Sequence, residues 1–142
     1  MESLTMDMMY KGLAKGISRE SKSGGDMVAE IVAIMMMSRT YSHLAHLKTG
    51  SYAAHKALNE FYDDIVELCD DLAEAAQGQY GKLNVPFKQL EGNVSDPAEA
   101  ISKQLEMIKE LGDNCEEEYL CSILQEVMKL YRSTLYKLTQ LS

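Results

Sequence analysis

The residues best suited to chemistry are three histidines, His43, His46 and His55, followed by an acid-rich stretch of Asp63, Asp64, Glu67, Asp70, Asp71 and Glu74. On a helix, His43 and His46 stand one turn apart and point the same way. At about 100° per residue, His55, Asn59, Asp63, Val66, Asp70 and Glu74 fall within an arc of roughly 100°, so they line one edge of one helix. Imidazoles combined with carboxylates accept borderline or hard divalent cations such as iron, manganese or zinc. His43, His46, His55, Asp70 and Glu74 are therefore the candidate metal ligands. Each has a plainer alternative: the acids form a solvated face, and His55 is a half-buried helix residue hydrogen-bonded to a neighbour. The pattern names no catalytic residue apart from these ligands and no organic cofactor. Cys69, Cys115 and Cys121 have no histidine nearby in sequence to lower a thiol pKa, which favours small buried residues over nucleophiles. Their odd number and the lack of a C-x-x-C pair argue against a disulfide framework and against a zinc knuckle.

The elements that position these residues are helical. Only 2 prolines and 2 phenylalanines, no tryptophan and many Leu, Ala, Met, Glu and Lys favour helix over strand. At 142 residues, 46% of them apolar, one continuous core fits one domain. Ser23-Gly24-Gly25-Asp26 reads as a chain break in which Asp26 caps a first helix from about Met27 to Lys48. Its stretch Ile31 to Met37 is apolar all round, so either the core is wide there or a second subunit packs on it. A second helix, about Ser51 to Gln77, carries a seam of Ala54, Leu58, Phe61, Ile65, Leu68, Leu72 and Ala75. The short turn before it makes the two helices antiparallel neighbours. Residues 82–95 are a connection long enough to cross a bundle end to end. Asp96-Pro97-Ala98-Glu99 then reads as a helix start, and the third helix shows the stripe Ile101, Leu105, Ile108 and Leu111. A fourth, about Asn114 to Leu141, opens with Glu116, Glu117 and Glu118 at the positive end of its dipole. The scattered tyrosines suit interfaces.

This order predicts an all-α fold: a four-helix bundle over residues 26–142 with one long crossover between helices two and three, which is ferritin-like connectivity. Residues 1–25 form a separate N-terminal segment, with a short helix expected over 3–20. A two-iron site inside one such bundle needs Glu-x-x-His on two helices and a glutamate on each of the others. All three histidines lie on helices one and two, so one chain cannot build it, whereas two subunits facing each other can.

The stretch from Arg39 to Gly81 resembles the Dps mini-ferritins, whose motif steps by twelve, four, eleven and four positions; here the steps fall on His43, His55, Asn59, Asp70 and Glu74. Four of the five match by type. The resemblance implies a ferroxidase-like site shared across a two-fold interface, with His43 and His55 from one subunit and Asp70 and Glu74 from the other. His46 is the alternative to His43. Asn59 stands where the family has an acid, Leu44 where it usually has tryptophan, and the family's basic DNA-binding tail is missing. Ala45 to Leu58, with Gln77-Gly78-Gln79-Tyr80-Gly81, also resembles small proteins of tailed bacteriophages.

A formal net charge of -8 repels polyanions at long range, so nucleic-acid binding is not expected and DNA compaction ranks third. The most apolar run, Met27 to Met37, is about half a membrane span and is interrupted by Glu30; no cleavable signal precedes it. A cytoplasmic location is expected, in the host cytoplasm for a phage-encoded chain. Two functions follow: a Dps-like metal-binding bundle that takes iron or another divalent metal and oxidises ferrous iron; or a non-enzymatic helical interaction protein of phage type that has lost that chemistry. Both imply a homo-oligomer, at least a dimer. The second adds a host or phage protein partner.

Overall fold

The computed structural model describes residues 24–141; the helix expected over 3–20 lies outside the described residues. Four helices account for the secondary structure, with no strand among the described residues: α1 (Gly24–Lys48), α2 (Tyr52–Tyr80), α3 (Pro97–Gly112) and α4 (Glu118–Gln140).

Helix ends are set by local chemistry. Ser51 Oγ accepts the Ala54 N–H at 3.1 Å and starts α2; Asp96 Oδ1 accepts the Glu99 N–H at 3.3 Å, with Pro97 in the first turn of α3. Both starts match the sequence reading. The glycines differ from it. Gly24, Gly25 and Asp26 belong to the first turn of α1, and the phenol of Tyr80 packs so close to Gly24 that a β-carbon there would collide with it. Close approach, not a break, explains that glycine. Gly78 likewise continues α2, and the helix stops only at Gly81, where φ is 93° and the N–H donates to Gln77 O. The fourth helix begins later than expected. Gly112 O accepts the Cys115 N–H in a turn, and Cys115 is joined to Cys121 by a disulfide with 5.8 Å between Cα atoms. This corrects the expectation of unpaired cysteines, and it leaves Glu116 outside α4 and Glu118 alone in its first turn. Cys69 is the buried free thiol.

The connection after α2 runs along the outside of α1. Lys88 pairs with Glu30 at 3.0 Å, and eleven residues further along α1, about 16 Å by helix rise, Tyr41 Oη donates to Asn93 O at 2.5 Å. Gly92, with φ of 107°, lies under the Tyr41 ring. Thus α3 starts beside the far end of α1 and runs back, so that its end and the start of α4 border the same cavity as Gly24 and Tyr80. Two helices, one crossover spanning the bundle, and two more give an up, down, down, up course. Around the bundle the order is α1, α2, α4, α3. The diagonal pair α1 and α4 meets through the core, where Tyr131 Oη donates to Ser38 Oγ at 2.7 Å.

Coverage of α1 by two helices and by the crossover explains its apolar run: Ile31 to Met35 and Met37 are buried and only Met36 is exposed. The wide core, not a second subunit, covers those residues. In α2 the seam is Ala54, Leu58, Phe61, Ile65, Cys69, Leu72 and Ala76. It slips by one position after Ile65, as a straight helix of 3.6 residues per turn must against a 3.5 repeat. Tyr41 is fully buried, a core residue where an interface residue was expected, and Tyr131 is fully buried on the apolar stripe of α4 with Leu120, Leu124 and Val127. Buried polar atoms are few; Ser42 Oγ and Gln104 Oε1 have no hydrogen-bond partner among the described residues.

Candidate functional site

The three histidines meet at the α1–α2 turn. His46 is buried and His43 and His55 are half-buried. His46 Nδ1–H donates to the backbone oxygen of His55 at 2.9 Å, and His55 Nδ1–H donates to that of His46 at 3.1 Å. The two rings stack between these bonds, 3.7 Å apart at 20°. A carbonyl has no proton to give, so Nδ1 carries the hydrogen in both rings, and a neutral ring keeps a lone pair on Nε2. The carbonyl of His46 belongs to the last turn of α1 and lacks a helical acceptor role; the imidazole of His55 caps it. His46 in turn ties the end of α1 to the second turn of α2.

His43 stacks on Tyr62 at 4.2 Å and 18°, and both rings meet His46 edge-on, at 5.9 and 5.2 Å. Tyr62 was not among the sequence candidates. Its position seven after His55, two helical turns along the same edge, was the available signal. Tyr62 Oη donates to Asn59 Oδ1 at 2.8 Å, and Asn59 Nδ2 donates to Asp63 Oδ2 at 3.2 Å. An aspartate at 59 would accept from Tyr62 equally well but would set its charge against Asp63. Asparagine satisfies both neighbours.

Asp70 and Glu74 are exposed and lie 15 and 19 residues beyond His55, about 22 and 28 Å along α2 at 1.5 Å per residue. One chain does not bring them to the histidines. Among the described residues no group of three or more His, Cys, Asp and Glu side chains is placed to hold a metal ion.

The outer face of α1 and α2 around this cluster carries several exposed apolar side chains. Met36, Leu44, Leu47, Tyr52 and Val66 are exposed, Leu47 by 69% and Tyr52 by 75%. Charge on this face is divided: Arg39, Lys48 and Lys56 surround the histidine end, and Asp63, Asp64, Glu67, Asp70, Asp71 and Glu74 occupy the rest of α2, all of them exposed.

Residues 46–138 match the model of a family of unknown function, DUF5856. The chain belongs to that family. The matched span contains His46, His55, Asn59, Asp70 and Glu74, and all of α2, α3 and most of α4. A relative 28% identical over 120 residues, 84% of this chain and 85% of its own length, is the uncharacterized 14.6 kDa protein in the mobD-ri intergenic region of Enterobacteria phage T4. The phage resemblance read from the sequence is supported by it; neither comparison points to the mini-ferritins. No solved structure matches. No helix among the described residues is long and apolar enough to cross a membrane.

Proposed function

We propose that this protein is a non-catalytic, self-associating helical bundle encoded by a phage, acting in the host cytoplasm through the outer face of α1 and α2. The course of the chain, with its single long crossover, supports a ferritin-like bundle. One observation carries the functional reading: a face with exposed Met36, Leu47, Tyr52 and Val66 has cations at one end and carboxylates at the other. A two-fold axis across that face turns one copy end for end, so Arg39, Lys48 and Lys56 of each copy meet the acids of the other. The histidines then serve the structure, closing the α1–α2 turn. A host or phage protein docking on the same face is the remaining partner class. Light scattering on a size-exclusion column should give at least a dimer, and Leu47→Glu or high salt should shift it toward monomer. A monomer at tens of micromolar in low salt overturns the proposal.

A second reading is favoured by the imidazole tautomers. Metal-binding histidines commonly donate their other ring N–H to a carbonyl, as His46 and His55 do. Within a dimer, His43, His46 and His55 of one copy and Asp70 and Glu74 of the other would supply nitrogen and oxygen ligands for iron or another divalent metal. With Asn59 neutral, such a site favours one cation over two, which weakens ferroxidase-like chemistry. Anaerobic titration with ferrous iron should then show saturable binding that His55→Ala and Asp70→Ala both abolish. No binding above buffer by folded protein removes this reading and leaves the first untouched.

A further inference from the structure

On the side of the bundle away from the histidines, the Cys115–Cys121 disulfide lies in an open cavity of about 340 Å³ between α3 and α4. Both cysteines are half-buried and so reachable from solvent. The same cavity is lined by Lys109 at the end of α3, by Gln125 on α4, by Arg132 about 16 Å along α4 from Cys121, and by the single carboxylate of Asp113. Lys109 and Arg132 are exposed and form no ion pair among the described residues. The lining therefore holds two cations against the one carboxylate of Asp113, in a chain of net charge -8. The neighbouring cavity, on the other side of the α3–α4 loop, carries Glu110, Glu116 and Glu117 instead.

We propose that Cys115 and Cys121 form a thiol–disulfide exchange site that takes small anionic thiols of the glutathione class. Lys109 and Arg132 receive the carboxylates of the incoming molecule, Gln125 offers it an amide, and its thiolate is guided onto the disulfide. Attack on Cys115 Sγ forms a mixed disulfide. The Cys115–Cys121 bond breaks, its electron pair leaves on Cys121 Sγ, and that sulfur takes a proton from water. A second thiolate then attacks the bound thiol's sulfur, releasing the small-molecule disulfide and leaving the Cys115 thiolate to be protonated. The carbonyl of Glu117, 3.8 Å from Cys115 Sγ, can accept the S–H so formed. Two electrons pass from two small thiols to the protein, and the loop of residues 113–117 is freed from α4. The reverse sequence, driven by the oxidised small-molecule disulfide, restores the link. Cys69 takes no part: it is buried in the core, its thiol pushed up to about 11 first by burial and then by the charge of Asp70.

The test uses the full chain in buffers of graded reduced and oxidised glutathione, quenched with an alkylating agent and read by mass spectrometry of peptides. Cys115 and Cys121 should interconvert between a linked and a doubly alkylated form, with Cys69 unmodified by glutathione throughout. Cys121→Ser should accumulate one glutathionyl group on Cys115. Replacing both Lys109 and Arg132 by glutamine should lower the rate of reduction by glutathione relative to cysteamine, a cationic thiol, on the order of five- to tenfold, since two exposed charges each contribute modestly. These two surface changes leave the core intact, so the ratio stays readable. The proposal is overturned where Cys115 and Cys121 stay unlinked and free of glutathione in every buffer. It is equally overturned where the double variant leaves the ratio unchanged.

Discussion

Replacing His46 and His55 by alanine, singly and together, separates a structural staple from a bare ligand pair. Each ring donates one hydrogen bond to a carbonyl, at 2.9 and 3.1 Å, worth about 1 kcal/mol net apiece. The stack at 3.7 Å is shared, and aromatic pairs of this kind contribute about 0.5–1.5 kcal/mol beyond burial. His46→Ala also empties a buried position, so its expected cost is about 2–3 kcal/mol, with His55→Ala nearer about 2. The double variant should cost about 1 kcal/mol less than the sum of the two, because the stack is lost once. With an unfolding entropy of roughly 0.3 kcal/mol/K for a chain of this length, His46→Ala lowers Tm by about 7–10 °C. Urea unfolding followed by circular dichroism in metal-free buffer gives all three values. Two single variants each within about 0.5 kcal/mol of the parent, or strict additivity, would refute the staple and return these rings to the status of ligands awaiting a metal.

Three further outcomes are expected. Gln104→Met should raise stability by about 1 kcal/mol in urea unfolding, because it removes a buried oxygen that has no partner among the described residues. Asn59→Asp should lower stability by about 0.5 kcal/mol at neutral pH, since it sets two carboxylates one turn apart, and the loss should vanish in acid as they protonate. Alkali should weaken the fold in a defined window. Burial, then the charges of Asp96 and Glu99, pushes the Tyr41 phenol up to about 12, and burial raises Tyr131 as well, against the opposing effect of its hydrogen bond with Ser38. With Cys69 up to about 11, these groups hold their protons in the folded chain above the pH at which the unfolded chain releases them. Their stabilisation is complete below pH 9 and is lost as pH rises toward 12, which a flat urea midpoint from pH 8 to 12 would contradict.

Much of the fold was legible because helix starts and seams depend on near neighbours. Ser51, Asp96 and Pro97 act on residues within three positions, and the α2 seam follows from spacing alone until its register drifts past Ile65. What escaped the sequence depends on partners distant along the chain. Gly24 reads as a breaker until Tyr80 is found against it. The apolar run of α1 leaves a wide core and a second subunit both open until the crossover, fixed by Lys88 and Asn93, is found lying along that helix. The disulfide escaped for a different reason. Its cysteines are six apart, close enough in sequence, but they meet only because Cys115 sits in the turn before α4 and not within the helix.

The candidate site carries the same lesson into function. Spacing placed His43, His55, Asp70 and Glu74 in a pattern suited to metal, yet spacing records only which residues share a face. Direction is decided by bonds. His55 turns toward the carbonyl of His46, His43 lies flat on Tyr62, and Asn59 bridges Tyr62 and Asp63. Each of the first three motif positions is engaged by its own chain, while the last two stand exposed on α2. The position that departs from the mini-ferritin pattern is also the one whose amide N–H is used by Asp63 while its oxygen accepts from Tyr62. Restoring the acid at 59 therefore tests more than charge: it must break the Asn59–Asp63 bond to offer a ligand. Iron binding that appears in Asn59→Asp and is absent from the parent chain would mean that this one side chain separates a metal centre from a helical staple.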